Sequence, residues 1–131
     1  MDKDLIYNDF QKKVSDVLIR HKSILDIISK LEESNAKTNR AVIKSATNCG
    51  CISINATKQD FNKKSMVEVR DSLKNHVSGE LCDMCKEKIE EELGDHMFYI
   101  ASLCNTLNLS LYDILLKQYK ELDALGIYSL L

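Results

Sequence analysis

The sequence predicts an all-α protein, a four-helix bundle with a cysteine-rich insertion between its second and third helices. Three observations lead there. The 131 residues include no proline and only 4 glycines, so helix breakers are scarce in a chain that is 44% hydrophobic and 29% charged. Apolar residues recur at three- and four-residue spacing along most of the length. Four of the five cysteines fall into two close pairs in polar, turn-forming segments. A chain of this length has room for one core, so 1–131 is read as a single helical domain.

Residues 3–46 contain neither Gly nor Pro, and Leu5, Phe10, Val14, Val17 and Leu18 are followed at helical spacing by Ile24, Ile27, Ile28 and Leu31. That run is too long for one ordinary helix. Ser23 with Asp26 three residues on has the pattern of an N-cap with an acidic first turn, which divides it into helices near 3–21 and 23–46. "TNCGCISINATKQDFNKK" signals turns, with "CISI" as a short β segment. The capping-box pattern "SMVE" restarts helix at Ser65, to run to about His76. A long helix is expected over 80–106, and "NLSLYD" ends it. Ser110 as N-cap and Asp113 at N3 start a last helix over 111–124, before Gly126. The insertion thus occupies about 47–82.

With 18 basic against 20 acidic residues the net charge is −2, so the molecule as a whole exerts no pull on nucleic acid or anionic membrane. No window approaches the 18 or more apolar residues of a membrane span, and "MDKDLIYNDFQKK" lacks the apolar run of a signal peptide. A cytoplasmic location is expected, and in that reducing setting the cysteines are read for metal or redox chemistry before disulfides.

Cys49-Gly-Cys51 and Cys82-Asp-Met-Cys85 form two knuckles whose four thiolates suit the tetrahedral shell of Zn²⁺, with Gly50 permitting the tight turn. Four protein ligands leave no open position, so such a zinc is structural and closes the insertion. Buried thiols fit less well because the segments are polar, and a redox pair because no βαβ context surrounds Cys-X-X-Cys. Cys104, in an apolar run, reads as a core residue. His21, His76 and His96 share no ligand spacing and read as surface or capping residues, His96 alone lying near possible chemistry.

On a helical wheel of the third long helix, Ile89, Leu93, Ile100 and Cys104 cluster with Met97 beside them, while Glu92, Asp95, Tyr99 and Ser102 make one narrow polar stripe. Glu87, Glu90 and Glu91 read as wet surface. Two carboxylates at i and i+3 share a face and can grip a hard cation, Mg²⁺ or Mn²⁺, which needs few protein ligands when phosphates and water complete its shell. On the second helix the wheel gives an apolar face of Ile24, Ile28, Leu31 and Val42. Glu32, Asn35 and Asn39 lie on or beside it, and Glu33, Lys37, Arg40 and Lys44 point away. Antiparallel packing then brings Glu32 to the Glu92/Asp95 stripe. Pairing of these acids with Lys, Arg or helix ends is the alternative.

Glu91-Glu92-Leu93-Gly94-Asp95, followed by "FYIASLCNTLNLSLYDIL", resembles the E-x-x-D helix of the MazG-like, all-α NTP pyrophosphohydrolase superfamily, which also includes the dimeric dUTPases. The resemblance covers the second to fourth long helices. It implies a four-helix core of that type, Mg²⁺ held by acids of two helices, a dimer or tetramer, and hydrolysis of nucleoside triphosphates to monophosphate and pyrophosphate. It makes Glu32, Asn35, Glu92 and Asp95 the candidate catalytic residues and adds Glu33 to the candidate Mg²⁺ ligands. Asn39, Lys117 and Lys120 become candidate substrate-binding residues. The first family motif, E-E-x-x-E, reads Glu32-Glu33-Ser34-Asn35-Ala36 here, so one of four expected carboxylates is replaced by Ala36 or, in the facing register, by Asn35.

Two functions therefore stand, a metal-dependent pyrophosphohydrolase and a non-catalytic, zinc-stapled helical protein for oligomerisation, partner binding or nucleotide sensing. A nucleic-acid binder is disfavoured. It would rest on Lys30, Lys37, Arg40 and Lys44 alone, and the knuckles carry few aromatics to stack on bases.

Overall fold

Capping chemistry decides where the helices begin. In the computed structural model, which describes residues 5–129, the chain runs through α1 (Ile6–Val17), α2 (Ile24–Lys44), a π-helical turn (Ser45–Cys49) and β1 (Ile52–Ile54). It continues through α3 (Met66–Ser72), β2 (Val77–Gly79), α4 (Asp83–Thr106), α5 (Leu111–Leu125) and a closing 3-10 turn (Gly126–Tyr128). Ser23, Ser65 and Ser110 each accept a backbone N–H, from Leu25 at 3.2 Å, Glu68 at 3.2 Å and Asp113 at 3.1 Å, and so start α2, α3 and α5. The start of α4 is capped by a sulfur: Cys82 Sγ accepts from Cys85 N–H at 3.4 Å, which places the first helical residue at Asp83.

Two helices stop earlier than their apolar spacing predicts. α1 ends at Val17, because Leu18 is extended and His21 sits in the left-handed region at φ 61°. Positions 3 and 4 of that predicted helix lie outside the described residues. α3 ends at Ser72, with Leu73 extended and His76 left-handed at φ 64°. Both histidines are joints, and each finds a local partner. His21 Nδ1 lies 3.8 Å from an Asp26 carboxylate oxygen, and His76 Nε2 accepts from Thr57 N–H at 3.3 Å. Beyond His76, β2 pairs antiparallel with β1, Ile52 opposite Gly79 and Ile54 opposite Val77. Gly79 is required there: its φ is +85°, and a Cβ would meet the Cys51 carbonyl oxygen at 2.6 Å.

The protein is mostly helical, with this small two-stranded sheet in the insertion. α4 takes the central place, with α2 antiparallel along one side and α1 on another, and α5 lies against α1. Gln11 on α1 locks the α4–α5 turn, donating to Leu109 O at 2.7 Å and accepting from Leu111 N–H at 2.9 Å. No helix among the described residues is long and apolar enough to cross a membrane.

The α2–α4 seam differs from the wheel. α2 buries Ile27, Ser34 and Thr38, with Ser45 just beyond it, while Ile28 is 47% exposed. The hydroxyls are satisfied on their own helix, Ser34 Oγ donating to Leu31 O at 3.1 Å and Thr38 Oγ1 to Ser34 O at 2.9 Å. Ser102 on α4 does the same toward Phe98 O at 2.9 Å. Thr38 and Ser102, satisfied on their own helices, need no partner across the seam, whereas Ser34 also meets one on α4. On α4 the expected core residues Leu93 and Met97 are exposed, whereas Ile89, Ala101 and Cys104 are buried.

Candidate functional site

The end of α2, the β1–β2 ribbon and the start of α4 bring the two knuckles together. The Sγ atoms of Cys49, Cys51, Cys82 and Cys85 all lie within 4.8 Å of one another, and Cys49 and Cys82 are 3.8 Å apart. Ligands about 2.3 Å from a tetrahedral zinc are separated by about 3.8 Å, so the spread suits such an ion. Gly50 makes the first knuckle possible with a left-handed φ of 80°. The thiols form one proton-sharing group. The Cys85 N–H bond draws the Cys82 thiol down to about 7, and the hydrogen bond shared with Cys82 pushes Cys85 up to about 12. Four such sulfurs can bind a metal ion such as zinc, whose charge displaces the remaining protons. Cys104 stands apart from them, buried in α4.

Next to this centre, α2 and α4 form the walls of a groove. One cavity of about 280 Å³ is lined by Lys30, Glu33, Ser34 and Lys37 from α2 and by Glu92, Asp95, Phe98 and Tyr99 from α4. The structure thus brings Glu92 and Asp95 together as the spacing predicts, but opposite Glu33. Glu32 is exposed and lines neither this cavity nor the larger one beside it, as are Asn35 and Asn39. The physical reason is the seam: burying Ile27, Ser34 and Thr38 turns α2 about its axis by about 65° from the orientation an apolar count gives. Lys117 and Lys120 lie exposed on α5, outside both cavities.

Glu92 is 8% exposed, and its charge is matched within its own helix by Lys88, at 2.9 Å. Glu33 lies between Lys30 at 2.9 Å and Lys37 at 3.0 Å. The Lys30 hydrogen bond first, then that of Lys37, lowers its carboxyl from an ordinary 4.5 to about 2. Asp95 is exposed and takes part in no ion pair among the described residues. Among those residues the cysteines are the one group of three or more potential metal ligands whose donor atoms converge; Glu33 and Glu92 each turn to lysines instead.

One cross-helix contact went unread in the sequence. Ser34 Oγ and His96 Nδ1 are 2.7 Å apart. This hydrogen bond ties α2 to α4 beside Asp95. The histidine was visible as a residue near the acids; Ser34, a lone serine in a helix, carried no signal. Comparison with protein-family models, with curated proteins and with solved structures finds no match.

Proposed function

We propose that this chain is a nucleotide pyrophosphohydrolase of the MazG-like kind, built on a four-helix core and stapled by a structural zinc ion in the cysteine knuckles. The observation that carries this reading is the meeting of Glu33 from α2 with Glu92 and Asp95 from α4 across one cavity. Carboxylates from two antiparallel helices around a space also lined by lysines and aromatics suit a metal-bound nucleotide.

Carboxylate oxygens are the donors that Mg²⁺ or Mn²⁺ takes, and Glu33, Glu92 and Asp95 would hold such an ion once Glu33 and Glu92 turn from their lysines. Such an ion, when bound, would polarise phosphate oxygens and lower the pKa of a water. Lys30, Lys37 and Lys88 neutralise Glu33 and Glu92 when no ligand is present, and phosphate oxygens offer these ammonium groups an alternative partner. Metal and nucleotide therefore bind together far better than either alone. In the reaction the oxygen of a water bonds to the α-phosphorus and the bond from that phosphorus to the α–β bridging oxygen breaks. The electron pair leaves with pyrophosphate, and Asp95 takes the water proton before releasing it to solvent. The reading also makes the chain a homodimer or tetramer, supported by α5, a 15-residue helix with no buried residue.

A second reading, the non-catalytic zinc-stapled scaffold or nucleotide sensor, is favoured by the lysine pairs themselves and by Ala36 and Asn35 where a fourth acid is expected. One experiment separates the two. Purified protein with Mg²⁺ or Mn²⁺ and a panel of NTPs and dNTPs is expected to release pyrophosphate, and Glu92→Ala/Asp95→Ala to lower that rate by at least about a hundredfold. No release from any nucleotide, or equal release from the double variant, rejects the enzyme and leaves the scaffold.

A further inference from the structure

The groove does not end at the carboxylates. A second cavity of about 560 Å³ shares Lys37 and Glu92 with the first and continues toward the cysteine knuckles, with Arg40 and Lys44 of α2 and Lys88 of α4 on its walls. Along α2 the residues 30, 33, 37, 40 and 44 form one stripe at alternating three- and four-residue steps, and it faces 88, 92, 95 and 99 of α4. The contents are ordered. Phe98 and Tyr99 lie at one end, with ring centroids 5.2 Å apart at 83°, the three carboxylates in the middle and a basic stretch at the other end.

The two cavities together hold five basic side chains against three acidic ones. Lys30 and Lys37 serve Glu33, and Lys88 serves Glu92; Arg40 and Lys44 join no ion pair among the described residues. Lys37 to Lys44 covers about 10 Å of helix axis, the distance over which a short polyphosphate spreads its charge. A nucleic-acid strand would need cations continuing past both ends, and this track stops at an aromatic pair on one side and the knuckles on the other.

From this arrangement we infer that the groove is a directional polyphosphate site. The β- and γ-phosphates lie over Lys37, Arg40, Lys44 and Lys88, and the nucleoside lies against Phe98 and Tyr99. The direction rests on the pyrophosphohydrolase reading; the phosphate site does not. It replaces Lys117 and Lys120 with cations of α2 and α4 as the groups that hold the leaving pyrophosphate.

Inorganic tripolyphosphate, offered without Mg²⁺ or Mn²⁺ so that it is not hydrolysed, is the probe, because it carries no nucleoside. Titrated calorimetrically into the zinc-loaded protein, it is expected to bind. Arg40→Ala/Lys44→Ala, both exposed positions, is expected to weaken it about tenfold or more, with helicity and zinc content unchanged. Lys117→Ala/Lys120→Ala leaves it unchanged, and Tyr99→Ala weakens a non-hydrolysable NTP analogue but not tripolyphosphate. Equal affinity in the Arg40/Lys44 variant overturns the phosphate site, as does an equal loss in the Lys117/Lys120 variant. Loss of zinc from the Arg40/Lys44 variant assigns these cations to the metal centre, and displacement of tripolyphosphate by a single-stranded oligonucleotide at lower concentration assigns the groove to nucleic acid; either overturns the proposal. Failure of Tyr99→Ala to affect the analogue overturns the direction alone. Arg40-dependent tripolyphosphate binding without any pyrophosphate release removes the enzyme and keeps the site.

Discussion

Glu33 is the residue on which most of the local electrostatics turns. Held between Lys30 and Lys37, its carboxyl titrates near 2 instead of 4.5. A folded-state pKa below the unfolded one stabilises the native state at every pH above about 4.5, and that contribution fades as pH falls toward 2. NMR titration of the Glu33 carboxyl carbon is expected to give a midpoint near 2 in the native protein, and Lys30→Ala to move it up toward 4.5. A midpoint that ignores Lys30→Ala would show that this ion pair does not form in solution. Glu33 also marks the limit of reading residues from sequence. Its neighbour Glu32 looked like the facing acid because Ile24, Ile28 and Leu31 appeared to set the buried face. The face is set instead by Ser34 and Thr38, whose polarity hides their burial until their hydroxyls are seen bonded to their own helix. Glu92 and Asp95 were legible because i, i+3 spacing on a helix fixes their relation wherever the helix turns.

At the scale of elements, the starts of α2, α3 and α5 were readable because capping is local chemistry. Ser23, Ser65 and Ser110 needed nothing beyond the next three residues to act. The ends of α1 and α3 were not readable, since the left-handed turns at His21 and His76 involve a residue type with no strong preference for stopping a helix. The knuckles were legible as a pair of pairs. What brings them within 4.8 Å, the Ile52–Gly79 register and the sulfur cap of α4, became visible only in three dimensions. Elemental analysis should find one zinc per chain, and Cys82→Ser should lose it. Where zinc stands about a thousandfold above its dissociation constant it contributes about 4 kcal/mol, so a strong chelator should lower the melting temperature on the order of 10 °C. An unchanged melting curve on zinc removal would rule out the staple.

At the scale of the whole molecule, packed and unpacked apolar surface are out of balance. Ile114, Leu115, Leu122 and Leu125 on α5 are exposed, as are Leu93 and Met97 on α4, positions whose spacing alone reads as core. A surface of that kind suits a second copy of the chain. Light scattering is expected to give a dimer or tetramer at micromolar concentration, and Leu115→Glu or Met97→Glu to reduce it to monomer while leaving helicity intact. A monomeric wild type would exclude this assembly. The overall helix order was legible because α1, α2, α4 and α5 each advertise themselves over ten or more residues. Which helix lies beside which was not, as the faces that pack bury small residues such as Ser34 and Ala101 alongside Ile27 and Ile89 and leave Ile28, Leu93 and Met97 exposed. One feature also bears on the order in which the molecule comes together. Cys49 and Cys82 are 33 residues apart, and α2 and α4 meet only once that span is closed. Closing such a loop costs about 3 kcal/mol of chain entropy before any seam contact returns it. A metal ion captured by the knuckles would close that loop before the seam forms, and the central helix pair would then zip from its metal end toward Tyr99.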